Sequence, residues 1–459
     1  MAAPRQRLAQ AGLVVVALLA GCGSSAPKPD GATLRLALPL IPRTVDPAKA
    51  GDLPSLNVAH ELYSGLTRFK GTGVVPDLAQ SWDVEQGGLV WTFHLRKGLR
   101  WSDDRPITAQ DVRRSWLRAL APGTKAPLAG PDLGIVKGAR GYHATGRGSV
   151  GVQALDDRTL RVTLQHPIPW LDQLVAHPIA AAYRPDAYSG PFRLARPHVL
   201  ERNLNYWNVG AVKPAKLVLT TRTNGADVIL PRGLAPPGLP WVQTAKPPTG
   251  AGWKKLSTLA LQLLWSRNRE IVLPATTSLV PRSMPGYSAI TATKGPSASI
   301  EFVPHRRVTL AYTAQDALAP EALSSVSREL TSHGATVALR RYKTLAELAH
   351  ANTDLVLLGW SPKIFDAYNI LDLFPCGSAF NVARWCEPSY DALMRRAVRT
   401  LDPAKRYAIE SRLLGEKLLP ALPAVPVGQP PEYVRLAPEV RGFSWSPIGF
   451  YELDGMTRS

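Results

Sequence analysis

The residues best placed to do chemistry are few, and they are scattered. Three Cys (Cys22, Cys376 and Cys386) and nine His stand in 459 residues. No HExxH, no GxxxxGK[ST] loop and no GxSxG occurs, and the His show no ligand spacing. Nothing therefore marks a metal centre or an activated nucleophile. One glycine motif, Gly146-Arg147-Gly148-Ser149-Val150-Gly151, fits GxGxxG. A dinucleotide site needs a strand before that motif and a helix start after it, so that backbone amides face the phosphates. Here KGARGYHAT precedes it and the strand-like LDDRTLRVTL follows, so it reads as a loop into a hairpin.

The first Cys has a setting of its own. Arg5 and Arg7 precede an apolar run from Ala11 to Gly21 that no acidic residue interrupts. A membrane-crossing helix needs about 20 apolar residues, so the run is too short to span. Its charged start and apolar centre are those of a secretory signal peptide. Leu19-Ala20-Gly21-Cys22, followed by the small polar GSSAPKPDG, resembles the bacterial lipobox. That resemblance implies cleavage before Cys22 and acylation of its thiol; the alternative is an ordinary signal peptide with a chance Cys. More than one acyl chain, at about 0.8 kcal/mol per buried CH₂, would hold the protein on a membrane. Export leaves Cys376 and Cys386 as an even pair in a disulfide-permissive setting. A bridge, two buried free thiols and, more remotely, metal ligation stay open.

Composition sets the frame for these residues. Hydrophobic residues are 45% and charged residues 19%, as in an ordinary globular chain with room for about three structural units. The 54 Lys+Arg exceed the 35 Asp+Glu by 19. The basic residues are dispersed rather than gathered in a stripe or arm, which argues against nucleic acid and for attraction to an anionic surface.

Strand-like runs fall at 33–41, 89–95, 155–164, 216–221, 259–265 and 353–360. Helical patterns fall at 55–69 with Ser55 as cap, after Thr108 with Val112, Trp116 and Leu120 on one stripe, at 320–333, and at 387–419 before Pro420. This mixed order suits two α/β lobes joined by crossing strands.

Residues 62–120 carry Leu62-Tyr63, Gly65-Leu66, Pro76, Leu78-Ala79, Ser81-Trp82, Phe93, Leu95-Arg96-Lys97-Gly98, Trp101-Ser102-Asp103, Thr108-Ala109 and Asp111-Val112 in order. TVDPA at 44–48, GPFRL at 190–194, RNLNYW at 202–207, GWSPKIFDAYNILDLF at 359–374, PSYDALMRRA at 388–397, PALPAVPV at 420–427 and VRGF at 440–443 continue the pattern. The chain thereby resembles the family 5 extracellular solute-binding proteins, the oligopeptide-, dipeptide- and nickel-binding group of ABC importers. The resemblance implies an α/β, two-lobed periplasmic-binding-protein-like fold (type II, cluster C) with an inserted subdomain in lobe I. The expected order is signal peptide 1–21, lipidated Cys and tether 22–32, lobe I 33–54, inserted subdomain 55–189, lobe I 190–258, an abbreviated lobe II 259–427 and a lobe I closing segment 428–459. It also implies capture of a small solute, a peptide first of all, in an interlobe cleft, and delivery to a permease with its ATPases. On this reading there is no catalysis, no cofactor and no nucleic-acid partner, and the protein is an exported, lipid-anchored monomer. The competing reading is a surface lipoprotein on the same scaffold that senses or assists assembly and has lost transport.

The resemblance implies ligand contacts at Tyr63, Trp360, Ser361, Asp366, Tyr368, Asn381 and Trp385, with core packing or turn capping as the alternative for each. Trp82, Trp101 and Trp116 read as inserted-subdomain core. Two departures stand out. Peptide-binding members carry, a few residues after the Trp of this motif, an Asp that holds the ligand ammonium, and Lys363 stands at that place. Lys cannot accept such a hydrogen bond. Either Asp366, the nearest carboxylate, substitutes, or the solute is not held by a free amino end. Secondly, Leu259–Trp265 is followed by SRNREIV and a Pro-rich stretch where the family has a long helix-bearing one.

Overall fold

The computed structural model describes residues 31–459 other than 231–250, 257–260, 269, 274–278, 282–283, 286, 288–299, 314–318, 379 and 429–431. Cys22 and the expected signal segment lie outside the described residues, as does most of the Pro-rich stretch after Trp265.

In chain order, β1 (Thr33–Ala37) turns Leu34 and Leu36 inward by simple alternation. α1 (Leu53–Leu62) is capped by Asp52, whose side chain accepts from the Ser55 amide at 2.9 Å. Ser55 itself stands in the first turn. β2 (Thr67–Lys70) and β3 (Gly73–Pro76) make a hairpin, and β4 (Ala79–Glu85) and β5 (Val90–Leu95) another. α2 (Ala109–Leu120) begins at a capping box in which Thr108 and Asp111 satisfy each other's backbone. Its stripe buries Val112, Trp116 and Leu120, and the Trp116 indole donates to the Ala180 carbonyl at 2.7 Å. α3 (Ala139–Thr145), β6 (Val152–Ala154), β7 (Thr159–Thr163) and α4 (Leu171–Leu174) complete this part. The GxGxxG motif links α3 to β6, with Gly146 left-handed at the helix end. β8 (Phe192–Arg196), β9 (Val199–Arg202), β10 (Lys216–Thr220), β11 (Val228–Ile229) and β12 (Trp253–Leu256) follow.

The remainder runs through β13 (Leu261–Ser266), β14 (Arg307–Thr313), α5 (Ala319–Ser332), β15 (Thr336–Tyr342), α6 (Leu345–His350), β16 (Leu355–Trp360) and α7 (Tyr368–Leu371). It continues with α8 (Pro388–Val398), α9 (Pro403–Arg412), β17 (Ala424–Gly428) and β18 (Glu432–Leu436), and closes with two short antiparallel pairs, Val440–Arg441 with Thr457–Arg458 and Ser444–Trp445 with Tyr451–Glu452. The single helical stretch expected over 387–419 is therefore broken: Asp402 caps α9 afresh, accepting from the Lys405 amide at 2.9 Å.

Three sheets organise the chain. Lobe I is a seven-stranded sheet in the order β12-β18-β11-β1-β10-β9-β8, and lobe II a five-stranded sheet in the order β15-β14-β16-β13-β17. β4-β5-β7-β6 form the sheet of the inserted subdomain. The chain passes between the lobe sheets twice, once from β12 to β13 and once from β17 to β18. One boundary needs correction. α1, expected within the inserted subdomain, packs Val58, Leu62 and Tyr63 into the same core as Leu34, Leu36 and Phe192 of lobe I. The inserted subdomain has its own core around Phe93, Trp101, Trp116 and Leu160, with Trp82 packed at its edge.

Candidate functional site

β16 is buried from Leu355 to Leu358 and becomes half-buried at Gly359 and Trp360. β14 and β16 run parallel, so this is the carboxyl end of strands in an α/β sheet, where ligands bind in such folds. From there Lys363, Ile364, Tyr368, Asp372, Gly377 and Phe380 are among the lobe II residues that form one wall of a cleft of about 590 Å³. The inserted subdomain supplies the other wall through residues 130–135 and 166–174. A one-turn π bulge at Ala129–Leu133 places Asp132 there. Four large aromatic rings are among its lining residues. Trp170 of the inserted subdomain packs directly on Tyr368 of lobe II with centroids 4.4 Å apart, and Trp360 meets Phe380 edge-on at 5.0 Å. Rigid rings cover ligand surface at little entropic cost.

Three polar contacts join the walls. The Lys363 ammonium pairs with Asp132, whose residue is only 3% exposed. The Lys363 carbonyl lies 2.8 Å from His177 Nε2, and the Phe365 amide donates to Gln173 Oε1 at 2.7 Å. Burial holds His177 below its usual pKa, so the ring is neutral, and the proton it donates to Lys363 must sit on Nε2. Lys363 thus does face the cleft, but its charge is already matched from within the chain.

Of the residues expected to touch ligand, Trp360 and Tyr368 line the cleft. Ser361 is exposed beside it and is not among its walls. Four other expected residues lie outside the walls of this cleft. Tyr63 is buried in lobe I against Tyr183 and Tyr188, at 5.2 and 5.5 Å between centroids, because α1 belongs to that core. The Asp366 carboxylate is 2% exposed and accepts from Arg406 Nη2 at 2.7 Å and Nε at 3.0 Å, so it is turned into lobe II and is matched by a guanidinium. Asn381 donates to the carbonyls of Phe374, Pro375 and Trp385 at 3.1, 3.2 and 2.5 Å, which ties the 374–385 loop together. Trp385 packs on Tyr390 and borders a different hollow. That hollow is larger, about 1070 Å³, but lies wholly within lobe II at the far end of β16. Within it Arg267 donates to the carbonyls of Leu348, Ala351 and Val382, and Asp354 accepts from Thr309 and Asn268. A ligand there would touch one body and could not drive closure. The Cys376 and Cys386 sulfurs are bonded and close the loop that carries Phe380 to the cleft.

The residues missed by sequence reasoning are Asp132 and Trp170 in the inserted subdomain, and Phe380 and Asp372 in lobe II. Asp372 was signalled. It is a carboxylate inside the apolar run ILDLF, where a charge needs a reason. Its side chain is exposed at the cleft. Loss of solvation pushes its pKa up to about 6, against the Tyr368 hydroxyl, which donates to Oδ1 at 3.1 Å.

The family description "Bacterial extracellular solute-binding proteins, family 5 Middle" matches residues 73–229. The chain is 27% identical to "Probable deoxycholate-binding periplasmic protein YgiS" of Escherichia coli over 88% of this chain and 89% of that protein. It is 35% identical to the periplasmic oligopeptide-binding protein OppA of Escherichia coli, over 38% of this chain and 34% of that one. In fold it is similar to the crystal structure of Haemophilus influenzae OppA in complex with RPPGFSPFR, with a TM-score of 0.70 and 20% identity over 94% of this chain and 99% of that chain.

Proposed function

We propose, from the chain's membership of family 5 of the bacterial extracellular solute-binding proteins, that it captures a short peptide in the cleft between lobe II and the inserted subdomain and hands it to an ABC permease. One observation carries this reading: a cleft lies between lobe II and the inserted subdomain of lobe I, and the chain passes between the two lobe sheets twice among the described elements. A solute touching both walls binds the closed arrangement better and shifts the population towards it. The aromatic lining suits side chains of varied shape, and no chemistry on the solute is required. We assign the membrane attachment to lipidated Cys22.

Chain starting after the signal peptide should melt at higher temperature with one or more di- to hexapeptides. A panel without effect would remove the peptide assignment. Cys22→Ser should release the full-length protein from membranes; continued sedimentation with them would remove the anchor. A second reading is favoured by the near full-length match to YgiS: an amphipathic, anionic, non-peptide solute such as deoxycholate. Deoxycholate therefore belongs in the same panel.

A further inference from the structure

The apolar seam between the lobes has two imidazoles set into it. Phe69 of β2 and Phe450 of the lobe I closing segment share one core with Leu263, Phe365 and Ala367 of lobe II. The rings of Phe69 and Phe450 stack at 5.1 Å, and Phe365 reaches Phe69 from lobe II at 6.3 Å. His60 of α1 is 3% exposed and lies 4.9 Å from Phe450. His177, which follows α4 in the inserted subdomain, is 7% exposed and meets Phe69 and Phe450 edge-on at 5.0 and 5.6 Å. Its Nε2 bonds the Lys363 carbonyl at 2.8 Å, so this ring ties the two lobes directly. Both ring nitrogens of His60 are buried and have no hydrogen-bond partner among the described residues. A polar ring held in this way is less stable than an apolar one of similar size, and the penalty grows steeply if the ring takes up charge.

We propose that His60 and His177 form a proton-operated latch: neutral rings keep the lobes in contact at this seam, and protonation of the pair loosens it and favours the open arrangement. The latch belongs to the seam and holds whatever solute the cleft takes.

The charges around the pair fix its direction. Burial, then Arg68 on β2 and His177 itself, disfavour a proton on His60. Burial also leads for His177; Asp132 and the bond to the Lys363 carbonyl pull the other way, and the Lys363 ammonium opposes charge. Arg68 is paired with Glu61 of α1 at 3.1 Å, and Asp454 of the closing segment acts on the same guanidinium. Phe69, Phe365 and Phe450 bring no charge. Both rings therefore titrate below the usual His value of about 6.5 while the seam is closed. An opened seam admits water and returns them towards that value, so the open state binds more protons. Closure is then fully favoured above about pH 6.5 and loses ground as the pH falls below it. Each imidazole that charges on opening shifts the closed-to-open ratio by up to about tenfold per pH unit.

Small-angle X-ray scattering of the chain that starts after the signal peptide, without solute and from about pH 8 to about pH 5, tests the latch. The wild-type radius of gyration should be constant at the upper end and rise below about pH 6.5, with far-ultraviolet circular dichroism unchanged. His177→Gln keeps an amide donor for the Lys363 carbonyl and cannot charge. His60→Leu removes the two unpartnered nitrogens and should also raise the melting temperature. Each single replacement should reduce the expansion, and the two together should abolish it. A wild-type radius that is flat across this range, or a double variant that expands as wild type does, overturns the latch. So does an expansion that comes with loss of circular dichroism, since that is unfolding rather than opening. No solute is present, so these outcomes leave the peptide assignment to its own test.

Discussion

Asp366 and Asp372 stand on one short stretch of lobe II and meet opposite fates. Asp366 is buried against Arg406, and Glu410 lies on the same guanidinium at 3.7 Å. Burial, and then the neighbouring Asp366 charge, raise the Glu410 pKa well above the ordinary carboxylate range, and Arg406 only partly offsets them. The folded protein therefore keeps a Glu410 proton that the unfolded chain gives up. Its stabilising effect is complete below the usual Glu pKa and is lost as pH rises towards the raised folded value. Glu410→Gln should flatten that decline; urea midpoints measured across neutral pH check it, and an unchanged slope would contradict the assignment. The sequence could not separate the two Asp residues. Spacing from Trp360 nominated Asp366, but Arg406, 40 residues away, turns that carboxylate into lobe II. Tyr63 and Asn381 misled in the same way, since each sits in a matching motif whose job here is packing or loop bracing.

At the scale of elements the sequence is more eloquent. Alternation in β5 and β7, the stripe of α2 and the apolar β16 are local patterns, and they appear where expected. Misreadings occur where a long-range partner decides. α1 belongs to lobe I because its apolar face meets β1 and Phe192, and the 387–419 stretch breaks because Asp402 offers a new cap. The bridged 376–386 loop is the element most exposed to test. Cys376→Ser with Cys386→Ser should cost about 2–3 kcal/mol by loop-closure entropy. Because the loop carries Gly377, Ser378 and Phe380 to the cleft, ligand affinity should weaken as well. Denaturant unfolding and calorimetry on the same double variant measure both losses, and equal stability with equal affinity would contradict this view of the loop.

At the scale of the whole molecule, residues far apart in the chain, Trp170 with Trp360 and, 231 positions apart, Asp132 with Lys363, enclose one volume. The mixed order of elements suits two α/β lobes and the family resemblance implies them; only the folded arrangement shows which surfaces meet. The most direct measurement uses Gly377, which lines the cleft and where an added Cβ meets nothing within 4 Å. Gly377→Trp should place an indole in the ligand's space without disturbing the backbone. Calorimetric titration with a short-peptide panel should give one-to-one binding for wild type and none for a folded Gly377→Trp. Equal binding by both proteins would place the ligand elsewhere and contradict the account.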